Sequence, residues 1–161
     1  MKMDWKVEGF AELDRMLADL GPKVARRVAT KALRAGARIV RDEARLRVPV
    51  QTGDLKRSIK TKSRKARVTN ERTVSVGVAG TEGPLAHLVE FGSAAHTIEA
   101  APGKILADKE TGKVFGTKVS HPGTPPKPFL RPAADTKAAA AIAEIARVLA
   151  DGIAVEAVKK S

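Results

Sequence analysis

The sequence predicts an α+β fold: a small antiparallel β-sheet packed against a long basic helix in the N-terminal half, with a long C-terminal helix and an extended loop or hairpin insertion. Three observations predict it. Apolar residues between Val24 and Val48 recur every three or four positions, the spacing of one helix face. Val74, Val76 and Val78 alternate with Ser75 and Gly77, the period of a half-buried strand. From Arg131 to Lys159 the chain is rich in alanine and carries a second helical stripe. A chain of 161 residues is long enough for one domain with a sizeable core, so residues 1–161 are expected to form a single unit.

In chain order, Met3 to Val7 reads as a short strand. Phe10 to Leu20 reads as a helix with Phe10, Leu13, Met16, Leu17 and Leu20 on one face. Gly21-Pro22 ends it and opens the next helix, with proline suited to a first helical turn. That helix has two adjoining apolar rows. One is Val24, Val28, Ala32, Ala35 and Ile39; the other is Ala25, Ala29, Leu33, Gly36, Val40, Ala44 and Val48. Opposite them run Lys23, Arg27, Lys31, Arg34, Arg38, Arg41 and Arg45, an arginine-rich outer face. The helix stops before Pro49, because the residue before a proline is pushed out of the helical region.

Thr52-Gly53-Asp54 is a turn in which Thr52 or Asp54 caps a short helix beginning near Leu55. Ser58 to Val68 and Thr73 to Val78 are then the two strands of a hairpin turning at Asn70-Glu71-Arg72. Pro84 to Phe91 is a short helix, with proline at its start and Gly92 as a left-handed stop. Residues 94–128 form an extended loop or hairpin arm and a proline-rich connector. Ile98 to Leu106 pairs with Val114 to Val119 around a turn at Asp108 to Gly112, and Pro122 to Pro128 is extended. The final helix carries Ala138, Ala141, Ile142, Ile145, Ala146, Leu149 and Ile153 on one side, and Gly152 weakens it by about 1 kcal/mol relative to alanine.

Composition narrows the function. The chain has no cysteine, which removes disulfides, thiolate metal sites and cysteine nucleophiles. Its apolar runs fall far short of the roughly 20 residues that span a bilayer, and the start Met1-Lys2-Met3-Asp4-Trp5-Lys6 lacks the apolar stretch of a signal peptide. No membrane partner is expected. The net charge is +12, and all of the excess lies between Lys23 and Arg67, where 16 Lys and Arg face only Asp42, Glu43 and Asp54. Such a localised face suits a polyanionic neighbour, either nucleic acid or an acidic protein surface, although it also serves simple solvation. The basic candidates are Arg27, Arg34, Arg38, Arg41, Arg45, Lys56, Arg57 and Lys60. Their charge is nearly uniform and stacking aromatics are missing from the segment. Any DNA contact is therefore made through phosphates, without sequence preference and with steep salt dependence.

Catalytic patterns are not found. His87 and Glu90 sit three apart on a short helix, and a closed metal site there would need His96 and His121 to converge on them. No serine lies in a nucleophile elbow and no phosphate-cradling Gly-x-x-x-x-Gly-Lys occurs. Asp42 and Glu43 are adjacent on a helix and point apart, so they are ion-pair partners for neighbouring arginines rather than an acid–base pair. No enzymatic activity and no cofactor or metal are expected.

The order of the motifs carries a resemblance. A basic helix ends in Asp42-Glu43-Ala44-Arg45-Leu46-Arg47-Val48-Pro49. Thr52-Gly53-Asp54-Leu55-Lys56-Arg57-Ser58-Ile59, the valine strand and Ala86-His87-Leu88-Val89-Glu90-Phe91-Gly92 follow. His121-Pro122-Gly123-Thr124 and Pro128-Phe129-Leu130-Arg131-Pro132-Ala133 precede the last helix. From about Val7 to Leu149 this resembles the neck, head–tail joining or tail-completion proteins of long-tailed bacteriophages and prophages. The resemblance implies a non-enzymatic virion protein made in the host bacterial cytoplasm. It would form a ring of about six copies, a hexamer, closed by heterologous contacts. Its partners would be itself, a head-closure protein, the tail terminator and the tail tube, with genomic DNA passing transiently through the channel. The basic face would line that channel or grip an acidic ring. A general DNA-binding protein using residues 23–67 is the alternative from another class.

Physical reading gives the motif residues expected roles. Leu88, Val89 and Phe91 dock the short helix on the sheet, and Gly92 permits the exit. Pro128, Phe129 and Pro132 fix the connector with Phe129 as its anchor, and Arg131 pairs with Glu90. The arm from Ala94 to Val119 reaches a neighbouring subunit.

Overall fold

The computed structural model describes residues 21–65, 72–109 and 111–159. The expected N-terminal strand and helix, and the turn at residues 66–71, lie outside them. The fold is mixed helix and strand, as expected: a long helix, small antiparallel sheets and a second long helix.

Helix α1 spans Pro22–Arg47, with Pro22 in its first turn and Arg45 and Arg47 in its last, where cations favour the helix dipole. Val48 turns extended and the chain leaves through Pro49. Helix α2, Asp54–Ser58, begins from Gly53 in the left-handed conformation. Thr52 serves this turn from outside the helix, its Oγ1 accepting from the Asp54 amide at 3.3 Å and donating to the Asp54 carboxylate at 2.6 Å. Strand β1, Ile59–Lys65, pairs antiparallel with β2, Arg72–Val78. The register Ile59↔Val78, Thr61↔Val76 and Ser63↔Val74 confirms that the three valines share a face.

A 3₁₀ turn, Gly80–Glu82, leads into helix α3, Gly83–Phe91. Four strands follow: β3 His96–Glu99, β4 Leu106–Ala107, β5 Val114–Gly116 and β6 Lys118–His121. β3 pairs with β6 and β4 with β5, both antiparallel, so the expected hairpin arm exists. It is built as two nested ladders, with a register shift between Leu106 and Ala107. Its turn is held by the Asp108 amide donating to Lys113 O and the Gly112 amide donating to Asp108 O, both at 2.9 Å. Helix α4, Leu130–Val158, closes the chain.

Helices α1 and α4 lie antiparallel along most of their lengths, roughly 40 Å at 1.5 Å per residue. Arg27 meets Glu156 near one end and Lys137 meets Glu43 near the other. Their seam is made of small residues. A Cβ on Gly36 would lie 2.6 Å from Ile145 Cγ1, and one on Gly152 would lie 2.5 Å from Val28 Cγ1. Gly152 therefore does more than weaken α4: its missing side chain lets α1 close in. The buried side of α4 is Ala133, Ala141, Leu149 and Ile153, narrower than the stripe expected, with Ile142 and Ala146 exposed. Among the described residues α4 has one long neighbour, α1, to cover it.

Two apolar clusters result. One gathers Val28, Ala32, Leu149 and Ile153 between the long helices. The other gathers Ala44, Val48, Leu55, Ile59, Ala86, Phe129 and Ala133, with Val76, Val78 and Val89 against it. In a chain with so few aromatics Phe129 is the largest fully buried side chain among the described residues, the anchor that was expected.

Candidate functional site

Two features stand out as candidates: a joint that fixes the arm and α4, and a basic groove along α1.

The joint begins at α3. At 100° per residue, Ala86 and Glu90 fall on the inner side, with Val89 half-buried beside them. Leu88 and Phe91 fall outside, 47% and 58% exposed. This corrects the expectation that Leu88 and Phe91 dock the helix on the sheet. Their hydrophobicity was visible in the sequence, but their angular position favours solvent, and the buried edge is a small residue and a carboxylate four apart.

The Glu90 side chain reaches the start of α4. One carboxylate oxygen accepts from the Phe129 amide at 2.7 Å and from the Leu130 amide at 2.9 Å, and the other accepts from the Arg131 amide at 3.0 Å. Pro132 has no N–H, and the Ala133 amide returns to Phe129 O at 3.3 Å. Every orphan donor of the first turn is thus answered. The expected Glu90–Arg131 ion pair is replaced by this backbone cap, and no such pair closer than 4.0 Å occurs. Burial pushes the Glu90 carboxyl up. The amides of Leu130, Phe129 and Arg131 and the nearby Arg131 charge outweigh it, holding the group below the ordinary carboxylate range.

Beyond Glu90 the chain is pinned again. Gly92 donates to Leu88 O at 2.8 Å and stops the helix at a positive φ of 72°, as expected of glycine, but its ψ of −172° takes it out of the left-handed helical conformation that was expected. A Cβ there would lie 2.5 Å from Thr124 O. Ser93 and Thr124 form an antiparallel bridge with amide–carbonyl bonds of 2.9 and 3.0 Å, and a Cβ on Gly123 would lie 2.3 Å from Ser93 O. The Lys127 amide donates to Val89 O at 2.7 Å, which fastens the connector to α3. Pro128 is exposed and Pro132 half-buried, both flanking the buried Phe129.

The histidines divide. His96 and His121 face each other across β3 and β6 with ring centroids 5.0 Å apart, whereas His87 stacks on Phe91 at 4.8 Å. Among the described residues no group of three or more such ligands could hold a metal ion.

The basic groove is lined by Lys23, Arg26, Arg27, Lys31, Arg34 and Arg38 of α1, with Arg72 of β2 on its far wall. Among the described residues its one carboxylate, Glu144, is engaged by Arg147 at 2.8 Å, and that hydrogen bond keeps it ionised below its ordinary range. Arg34 Nε donates to Ser63 Oγ at 2.8 Å, which ties α1 to β1. Arg26 and Arg72 were missed in the sequence. Arg26 lies off the main basic row, and Arg72 was read as a turn residue.

The remaining basic candidates do not extend this groove as one face. Arg41 pairs with Asp42 at 2.8 Å. Arg45 turns inward, its guanidinium donating to Ile59 O at 3.2 and 2.8 Å, where it fixes the start of β1. Arg57 pairs with Asp54, Lys56 is half-buried and Lys60 is exposed on β1. Asp42 and Glu43 are ion-pair partners as expected, Glu43 meeting Arg47 at 2.7 Å and Lys137 at 3.5 Å.

The fold and site therefore combine a stitched joint, a hairpin arm and a basic groove, in which Arg27 is paired with Glu156 at 2.7 Å. The family model described as "Bacteriophage HK97-gp10, putative tail-component" matches residues 11–92, about half of the chain, and the chain belongs to that family. The matched stretch ends at Gly92, before the arm and α4, whereas the motif resemblance ran on to Leu149. No curated protein and no solved structure gives a significant match.

Proposed function

We propose that this phage tail component works at the head–tail junction, as a neck or tail-completion protein. In this reading about six copies close a ring through heterologous contacts, and the genome passes through it. The role is structural rather than catalytic, and the protein resides in the virion beside a head-closure protein, tail terminator and tail tube. The observation that supports the reading is the basic groove: among the described residues, seven cations from α1 and β2 converge, with Glu144 already held by Arg147 and Arg27 alone paired outward, to Glu156. In a tail component such a surface suits a polyanion moving past it. Phosphates are met without base readout, because the groove offers no aromatic platform and its polar groups are almost all cationic.

Quantitative mass spectrometry of nuclease-treated, density-purified particles tests this. A fixed copy number near six per particle supports the ring. Recovery on cellular DNA, with none in particles, overturns the virion reading in favour of a non-sequence-specific DNA-binding protein.

A further inference from the structure

Among the described residues, the arm and the body leave two apolar surfaces unpartnered. The first is an open groove of about 760 Å³ between α1, β2, α3 and α4. Leu33 and Val40 of α1, Val74 and Val76 of β2, Ile145 of α4 and Phe91 line it. That volume falls in the range of about 300–1,000 Å³ that buries most of a medium-sized ligand, enough for several side chains. The second is the arm. Its strands pack mainly on one another, which leaves Ile105 62%, Val114 58% and Phe115 41% exposed. Soluble proteins rarely leave two such surfaces to water without a partner.

We propose that the arm of one copy seats Ile105, Val114 and Phe115 in the groove of the next copy. Charge favours this occupant. The arm's basic and acidic residues nearly cancel, with Glu99 and Lys118 paired at 2.6 Å. The groove's charged lining is Arg131 and the Glu90 already spent on amides. Two nearly neutral surfaces meet without repulsion, whereas the basic groove would repel its own copy. Arm and groove lie at different places on the chain, so the contact is heterologous and propagates from copy to copy until it closes. The proposal rests on the ring reading and assigns that ring its contact.

Because the chain has no cysteine, the test is direct. Phe115→Cys and Phe91→Cys, both at exposed positions, are made singly and together in the full chain and oxidised mildly while sedimentation records the mass. The expected result is a disulfide between the two single variants when mixed, and a ladder in the double variant that ends at one closed species. Ile105→Asp with Phe115→Asp, at exposed sites, should abolish self-association while leaving the thermal midpoint unchanged. Three results overturn the proposal: a chain still monomeric at about 1 mM, where even weak contacts of about 4 kcal/mol are half-occupied; oligomers that form no Phe91–Phe115 disulfide; or a disulfide that closes within one chain independently of dilution. Particle incorporation reads the tail assignment separately. A chain present in particles but lacking this disulfide loses only the arm-in-groove contact.

Discussion

Replacing Glu90 should damage the protein through the helix that Glu90 does not belong to. Glu90→Ala strips the acceptor from three amides at once. The Phe129 amide is buried, so its loss costs the desolvation of an unpaired donor, about 1–3 kcal/mol. The Leu130 and Arg131 amides are partly exposed and recover water, and losing a cap of this kind costs about 1 kcal/mol. The negative charge at the helix N-terminus adds a smaller loss of about 0.5 kcal/mol. The expected destabilisation is about 3 kcal/mol, read as a lower urea midpoint at unchanged slope. Glu90→Gln keeps an acceptor oxygen but not the charge, and should cost about half as much. The pH dependence has a definite sign. The folded Glu90 carboxyl lies below its ordinary value, so its stabilisation is complete at neutral pH and disappears as pH falls through the folded value. The gap between the wild type and Glu90→Gln should therefore narrow on acidification. Other exposed carboxylates are common to both proteins and cancel in the difference. A Glu90→Ala cost below about 1 kcal/mol, or a Gln variant as unstable as the Ala variant, would refute the cap argument.

Three further substitutions probe the seam, the joint and the groove. Gly152→Ala would raise an ordinary helix's stability by about 1 kcal/mol, but here the new Cβ would meet Val28. It should destabilise, and Val28→Ala in the same chain should recover part of the loss, giving a coupling above about 0.5 kcal/mol in a double-mutant cycle. Gly92→Ala forces a side chain into a positive-φ backbone and against Thr124 O. A loss of more than about 1 kcal/mol, with faster protease cleavage of residues 94–121, is expected from denaturation and limited proteolysis. Lys31→Glu with Arg38→Glu sits on the exposed groove wall and should leave stability within about 0.5 kcal/mol. It should weaken duplex binding and lower its salt slope by about 2 in a fluorescence titration, and wild-type infectivity from this variant would argue against a working role for the groove.

Much of this architecture was legible from local pattern. Helix α1 announces itself through its apolar rows, Pro22 and Pro49, and the valine alternation of β2 survives as its register with β1. The arm's pairing followed from Gly112 and the β-branched flanks. The joint was not legible for a physical reason. Glu90 binds backbone amides 39 to 41 residues downstream, and amides have no residue type to betray them. The sequence displayed two opposite charges, Glu90 and Arg131, and paired them. The basic face was overdrawn for a related reason: periodicity places Arg45 in the row, but only the tertiary structure offers it the Ile59 carbonyl. Gly152, a flaw in an isolated helix, became intelligible once Val28 stood opposite it.

The bridge between Ser93 and Thr124 has a consequence for how such a chain can change over time. It brings together the two ends of a 30-residue excursion, and the Glu90 cap and the Val89–Lys127 bond seal the body beneath them. From the body's side, the excursion enters and leaves at a single stitched point. Lengthening a loop whose ends are already held adds little free energy, about 0.6 kcal/mol for each doubling. The arm is thus free to lengthen, shorten or be exchanged for another while the two long helices and their seam stay the same. One scaffold could in this way keep pace with neighbours that change.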